Sequence, residues 1–143
     1  MSIFSVLLLL IMLLFTTPSF AESKVNTHLK ACPDKPNCVS SLAENQSQRV
    51  SALQFLDSQA SAKVRLKCVI DSLPRTKLIK EDGNYLYYTV TTLILRFVDD
   101  LEFYFDEDEK LIQVRSASRT GYSDFNVNRK RVENIRQLFQ LAQ

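Results

Sequence analysis

Hydrophobic and polar positions follow two different periods along the chain, and the changes of period predict the order of its elements. Over residues 58–73, apolar residues recur at the spacing of one helix face. Over residues 76–118, aromatic and β-branched residues dominate and turn residues interrupt them. The helical spacing returns over residues 127–142. This order predicts an α+β domain with both helices on one face of an antiparallel sheet.

The first predicted helix, residues 58–73, carries one apolar stripe. Asp57 or Ser58 is placed to cap its start, and Pro74 follows its end. Cys68 lies off the stripe, which leaves three states open for it: a free thiol, an intermolecular disulfide, or partial burial beside a loop. The stripe should pack on the sheet, and it consists of Ala62, Leu66, Val69, Ile70 and Leu73.

The second predicted helix, residues 127–142, begins after Asn126 as its N-cap. Its apolar face also includes Asn128 and Arg131, and a guanidinium in that position needs a partner. The apolar members of this face are Val127, Val132, Ile135, Leu138, Phe139 and Ala142. The basic residues that point away from it are expected in solvent, and they are Arg129, Lys130 and Arg136.

About four antiparallel strands are predicted between the helices. Asp82 and Gly83 form a hairpin signal after the first strand, and the second strand is expected to bulge or break near Thr92. Asp99 and Asp100 predict the turn that precedes the third strand. The predicted strands are residues 76–80, 85–98, 101–105 and 111–118.

The N-terminus predicts export to the periplasm or secretion. Residues 3–15 form a nearly unbroken apolar run, shorter than the roughly 20 residues that span a bilayer. Small residues at Ser19 and Ala21 predict signal peptide cleavage after Ala21. An uncleaved anchor is the alternative, and this segment is the only membrane contact expected. The remainder divides into an extended polar lead-in, residues 22–50, and a single α+β domain, residues 51–143.

Three cysteines are expected to form one disulfide and leave one thiol. In an exported protein, the Pro-rich turn between Cys32 and Cys38 favours their pairing over a pair with Cys68. A zinc site is not expected, because the cysteine spacing does not fit and the chain has one histidine, His28. No metal and no cofactor are predicted. The net charge of +2 also argues against a nucleic-acid partner.

The stretch VRSASRTGYSDFNVNRKR, residues 114–131, is the candidate site. It combines arginines and serines with the start of the second helix, a setting that suits a small anion or a lipid head group. The alternative is internal pairing of the arginines with Asp99, Asp100 and Glu102. The residues predicted to bind a ligand are Arg115, Ser116, Ser118, Arg119, Ser123, Asp124, Asn128 and Arg131.

Three blocks of sequence resemble domain-of-unknown-function family 1499. They are CPDKPNCVSS at 32–41, RFVDDLEF at 96–103 and IQVRSASRTGYSDFNVNRKRVENIR at 112–136. The resemblance implies no particular activity, although members of the family are often exported or membrane-associated. Asn126 stands where similar sequences often carry Gly, and Asn tolerates the left-handed conformation that such a turn needs.

A non-enzymatic envelope module that binds a small anionic or amphiphilic ligand is the favoured function. A pocket of Tyr85, Tyr87, Tyr88 and Phe97 would assist it, although core packing is the commoner role of such residues. A structural or interaction domain with internally paired arginines is the alternative. A hydrolase is disfavoured, because no serine lies in G-x-S-x-G and the single histidine lies in the lead-in. The oligomeric state is left open.

Overall fold

The computed structural model describes residues 29–143, so the predicted signal peptide and His28 lie outside the described residues. The elements of this part confirm the predicted α+β class. Within it, no helix has the length and apolar character needed to cross a membrane. In chain order the elements are β1 (Cys38–Ser40), β2 (Leu53–Gln54), α1 (Gln59–Asp71), β3 (Thr76–Asp82), β4 (Tyr85–Thr91), β5 (Val98–Asp106), β6 (Leu111–Ser118) and α2 (Val127–Leu141).

The sheet is antiparallel and has six strands in the order β1-β6-β5-β4-β3, with β2 also pairing with β6. The four longer strands are those predicted from the sequence, whereas β1 and β2 come from residues without sustained alternation. β6 pairs with β5 along one side, and with β1 and β2 along the other. The lead-in is thereby joined to the sheet.

The break predicted near Thr92 is present, but the connection that follows it differs from the prediction. β4 ends at Thr91, and residues 92–97 form the hairpin loop. The Thr92 N–H donates to the carbonyl of Phe97, and the Phe97 N–H donates to Thr92 Oγ1 (2.8 and 2.9 Å). Asp99 and Asp100 therefore lie inside β5, and the turn predicted for them is wrong. Their carboxylates are held in the strand by arginines from later in the chain.

The outer strand β3 runs to Asp82, two residues beyond its predicted end. The predicted hairpin turn is present, formed by Gly83 and Asn84, with Gly83 in the left-handed conformation that such turns require (φ 53°). The pairing of β3 with β4 shifts register between Leu78 and Lys80. This irregularity lies on the free edge of the sheet.

One hydrophobic core lies between the sheet and the two helices. Burying each large apolar side chain there contributes about 1.5–3 kcal/mol. The predicted stripe of α1 is buried at four positions, and Leu73 is partly buried beside them. Val127 and Ala142 are exposed, contrary to the prediction, because they lie at the two ends of α2. The helix residues of the core are Ala62, Leu66, Val69, Ile70, Val132, Ile135 and Phe139.

The cysteine predictions agree with the structure. Cys32 and Cys38 form the disulfide, and Cys68 is a free, exposed thiol on the outer side of α1. Ser58 caps α1, since its Oγ accepts from the Ser61 N–H (3.2 Å). Asn126 has the expected left-handed conformation (φ 64°), but its side chain does not cap α2. That part of the prediction is wrong.

Candidate functional site

The sheet divides the predicted site between its two faces. Side chains alternate along β6, so Ser116 lies on the helix-covered face with Val114, whereas Arg115 lies on the opposite face. The residues predicted to surround one ligand therefore form two separate groups. We call the group beneath the helices the inner cluster (Asp99, Ser116, Ser118, Asp124, Asn128 and Arg131). We call the group on the opposite face the outer ladder (Tyr85, Tyr87, Asp100, Glu102, Arg115 and Arg119).

Arg131 forms the centre of the inner cluster. Its Nη2 donates to Asp99 Oδ2 (2.6 Å), and its Nη1 donates to Ser116 Oγ and Asn128 Oδ1 (3.0 and 2.6 Å). The Arg131 side chain is 11% exposed and that of Asp99 is 2% exposed. Ser116 in turn donates to Asn128 Oδ1 (2.6 Å). These bonds join α2 to the middle of the sheet.

Asp124 caps α2 from the preceding loop. Its Oδ1 accepts from the Asn126 N–H, and its Oδ2 accepts from the Asn128 N–H (3.0 and 2.8 Å). A carboxylate at a helix N-terminus is favoured by the exposed N–H groups and by the helix dipole. Asp124 thus meets backbone amides, and Ser123 Oγ accepts from the Phe125 N–H in the same loop (3.3 Å).

Asn128 extends the inner cluster to the lead-in. Its Nδ2 donates to Asp124 Oδ2, to Ser118 Oγ and to the carbonyl of Asn37 (2.7, 2.9 and 3.2 Å). The side chain of Asn37 donates to the Gly121 carbonyl (2.8 Å). The disulfide-bonded turn is thereby attached both to α2 and to the loop before it. Asn37 was not among the predicted site residues, because its position next to Cys38 is its only signal in the sequence.

The outer ladder consists of two rungs, each with a tyrosine, a carboxylate and an arginine. In the buried rung, Glu102 accepts from Tyr85 OH and from Arg115 Nη1 (2.7 and 2.6 Å). In the second rung, Asp100 Oδ1 accepts from Tyr87 OH and from Arg119 Nε (2.7 and 2.9 Å). The Arg119 side chain is 47% exposed, so this rung meets solvent.

The surroundings of the outer ladder raise the pKa values of three of its members, Tyr85, Tyr87 and Arg119. Burial, and then the hydrogen bond donated to Glu102, raise the pKa of Tyr85 above its usual value. Burial and the bond to Asp100 likewise raise the pKa of Tyr87. The bonds to Asp100 and Tyr87 raise the pKa of Arg119. Both tyrosines therefore remain protonated donors, and Arg119 remains a cation.

Two arginines expected in solvent are instead bonded to the chain before α1, Arg129 to the lead-in and Arg136 to the residues just after it. Arg129 donates to the carbonyls of Arg49 and Ser47 (2.9 and 2.7 Å). Arg136 donates to the carbonyls of Ala52 and Ser51 and to Glu133. Because the helical wheel considers only the sheet side, it could not show that the lead-in passes along α2.

The four aromatic residues predicted to form a pocket are dispersed. Tyr88 is fully buried in the core, Tyr85 and Tyr87 belong to the outer ladder, and Phe97 lies in the hairpin loop. Two surface cavities of about 550 and 400 Å³ are lined mainly by lead-in residues, the second together with α2. Among residues 29–143, no group of three or more His, Cys, Asp or Glu is placed to hold a metal ion.

Several large apolar side chains are exposed at one end of the sheet, in residues that were predicted to form a strand or that lie within the candidate stretch 114–131. We call loops 92–97 and 119–126 together the loop end. They are neighbours because the Arg119 N–H donates to the Val98 carbonyl (3.2 Å). Ile94 and Phe125 are each 86% exposed. The exposed apolar members are Leu93, Ile94, Leu95, Phe97, Tyr122 and Phe125.

The comparisons with known proteins identify a family without an assigned activity. A family model described as "Protein of unknown function (DUF1499)" matches residues 28–139. The match covers seven elements and all but the last two residues of α2, together with both parts of the divided site. Searches of curated proteins and of solved structures found no match.

Proposed function

We propose that this chain, which belongs to the DUF1499 family of unknown function, is a non-enzymatic binding module that presents the loop end to a partner. The observation that carries the proposal is the set of large apolar side chains exposed there. Apolar surface of this kind on a folded domain marks an interaction site. The inner cluster and the outer ladder supply the rigid frame from which the two loops extend.

Internal pairing of the arginines supports this division of roles. Arg115, Arg119 and Arg131 each have a carboxylate partner at 2.6–2.9 Å. A small anion at residues 115–131 would have to compete with those carboxylates, and the sheet keeps Arg115 apart from Arg131. The structural alternative therefore accounts for the cluster better than ligand binding within it.

The serines of the inner cluster also favour a non-enzymatic role. Ser116 Oγ is bonded to Asn128 and Arg131, and Ser118 Oγ accepts from Asn128. Within residues 29–143 neither hydroxyl is hydrogen-bonded to a carboxylate, and this part of the chain contains no histidine. A nucleophile needs such a base, so these hydroxyls serve as hydrogen-bonding groups.

The disulfide supports a site of action in an oxidising compartment. Bonds such as Cys32–Cys38 persist in secreted and periplasmic proteins and are rare in the cytosol. Export through the apolar N-terminal segment would place the module in the periplasm or outside the cell.

Site-specific photo-cross-linking tests the proposal. A benzophenone amino acid replaces Ile94 or Phe125 in the full chain, and matched controls carry it at Leu56 or Leu141, which are exposed at the opposite end of the sheet. We expect adducts in living cells from positions 94 and 125 alone. Adducts that form equally at positions 56 and 141, or none at 94 and 125, would contradict the proposal.

A further inference from the structure

The 92–97 loop projects from the sheet as a convex apolar tip. The two hydrogen bonds between Thr92 and Phe97 close the loop at its base. Leu93, Ile94 and Leu95 lie beyond this closure, and all three are exposed. A convex tip with three consecutive aliphatic side chains does not enclose a small molecule. Such a tip is suited to insertion into the hydrocarbon region of a lipid bilayer.

The neighbouring 119–126 loop adds two aromatic side chains at the same end. Tyr122 and Phe125 are both exposed, and Tyr has an apolar ring with a polar hydroxyl. Aromatic residues of this type concentrate where the hydrocarbon of a membrane meets its head groups. The aliphatic tip with aromatic residues beside it is the composition of an interfacial membrane contact.

The charge of the loop end indicates which lipid charge a membrane surface would need in order to attract it. Arg75 and Arg96 are exposed, and within residues 29–143 neither is ion-paired. Three acids at this end are already engaged: Asp99 with Arg131, Asp100 with Arg119, and Asp124 with backbone amides. The uncompensated positive charge favours a surface of anionic lipid.

The backbone at and beside the loop end contains several residues with positive φ. Within residues 29–143, five residues other than glycine have positive φ, and four of them lie at or beside the loop end. Such conformations are strained, persist only where the surroundings impose them, and concentrate at functional sites. These four are Arg75, Arg96, Phe125 and Asn126, with φ of 60°, 51°, 52° and 64°.

From these features we infer that the loop end docks on an anionic lipid bilayer, with Leu93, Ile94 and Leu95 inserted beneath the head groups. Arg75 and Arg96 then meet lipid phosphates, and Tyr122 and Phe125 lie at the interface. This inference rests on the proposed role of the loop end as the binding surface. It adds a membrane contact of the folded domain itself to any contact made by residues 3–15.

The experiment uses the absence of tryptophan from the chain. The full-length Ile94→Trp and Leu141→Trp variants each contain one tryptophan, whose fluorescence reports on that position alone. Residues 1–28 are present in both variants, so any effect of that segment is the same in both. They are mixed with phosphatidylcholine vesicles with or without phosphatidylglycerol. We expect the emission of Ile94→Trp to shift to shorter wavelength, and to be quenched by brominated acyl chains, when phosphatidylglycerol is present. The Leu141→Trp emission should not respond.

Charge variants test the basic residues. In the Ile94→Trp background, Arg75→Gln or Arg96→Gln should each raise the lipid concentration at half-maximal shift by about fivefold, the effect of one basic residue near an anionic surface. Lys80→Gln, at the opposite end of the sheet, should leave that concentration unchanged. Circular dichroism of each variant verifies that the fold is retained.

Two results would overturn the inference. One is an emission of folded Ile94→Trp that no vesicle changes, and the other is a response that does not depend on phosphatidylglycerol. If vesicles have no effect but position 94 cross-links to a protein in cells, the loop end remains the binding surface and its partner is not lipid. If position 94 neither responds to vesicles nor cross-links, the proposed function fails as well.

Discussion

Arg131 shows how a single residue can constrain both fold and function. Its guanidinium lies on the apolar face of α2, where an unpaired charge would be very costly. The structure provides Asp99 from β5, Ser116 from β6 and Asn128 from its own helix. One arginine side chain therefore fixes the relative positions of β5, β6 and α2. Because Arg131 and Asp99 are both nearly buried, each depends on the other as its charged partner.

Arg131→Met should lower the free energy of unfolding by about 3–5 kcal/mol, because it leaves the Asp99 carboxylate buried without its partner. Urea denaturation followed by circular dichroism measures the change. Arg119→Met is the matched control and should cost at most about 1 kcal/mol, since Arg119 is half exposed. The Asp99→Asn/Arg131→Met double variant should recover part of the loss. Equal losses for Arg131→Met and Arg119→Met would contradict this account.

Tyr85 should make the protein sensitive to alkali. Its pKa is raised in the folded state, whereas an unfolded tyrosine ionises near about pH 10. As the pH rises above about 10, the unfolded state loses this proton first and is favoured, so stability falls. Tyr85→Phe should therefore show a shallower loss of stability above about pH 10 than wild type in urea titrations. Tyr122→Phe, at an exposed position, should retain the wild-type slope, and a shared slope for all three would contradict the assignment.

At the scale of elements, hydrophobic periodicity predicted most of the fold. Both helices and β6 were located to within about two residues, because each has a sustained period and clear turn residues around it. A break near Thr92 was predicted and is present, but the length of the hairpin loop at 92–97 was missed because its apolar run has the composition of a strand. The Asp99-Asp100 pair was taken for a turn, because the arginines that hold it in β5 come from distant parts of the sequence.

The candidate site was only partly predictable for a similar reason. The composition of residues 114–131 identified the arginines. The acids nearest to them in the sequence, Asp99, Asp100 and Glu102, were then the expected ion-pair partners. Local sequence could not show that the lead-in passes beside α2, or that a strand at the centre of the sheet separates Arg115 from Arg131. Exposure of Ile94 and Phe125 depends on which surfaces the rest of the fold covers, and no local pattern contains that information.

The start of α2 offers a test at this scale. Asp124→Ala should destabilise the protein by about 1 kcal/mol, because the Asn126 and Asn128 N–H groups lose their acceptor. Asp124→Asn retains an oxygen acceptor and should lose less. Thermal unfolding of both variants, with Ser123→Ala as a neighbouring control, measures the difference. An Asp124→Ala variant as stable as wild type would show that water replaces the cap without cost.

At the scale of the whole molecule, the lead-in works as a strap across the start and the side of α2. The disulfide closes its turn, Asn37 bonds to the loop end at Gly121, and Arg129 holds its later residues. Arg136 holds residues 51–52, which directly follow it. The proposed binding surface is therefore supported from a segment far away in sequence. Opening the strap should loosen the 119–126 loop before the core unfolds.

The Cys32→Ser/Cys38→Ser variant tests this coupling. Loss of so short a covalent loop should lower the free energy of unfolding by about 2 kcal/mol. Hydrogen–deuterium exchange should rise in residues 119–126 while that of β5 changes little. Cys68→Ser is the control for loss of a thiol and should leave both quantities unchanged. Uniform acceleration of exchange across the sheet would instead indicate a general loss of stability.

The register shift in β3 has a consequence for the protein at high concentration. β3 forms a free edge of the sheet, and a straight edge strand offers unpaired backbone groups to a second molecule. The irregularity between Leu78 and Lys80, with Lys77, Lys80 and Asp82 along the strand, interrupts that row and places charge beside it. Self-association through strands added along β3 is thereby disfavoured.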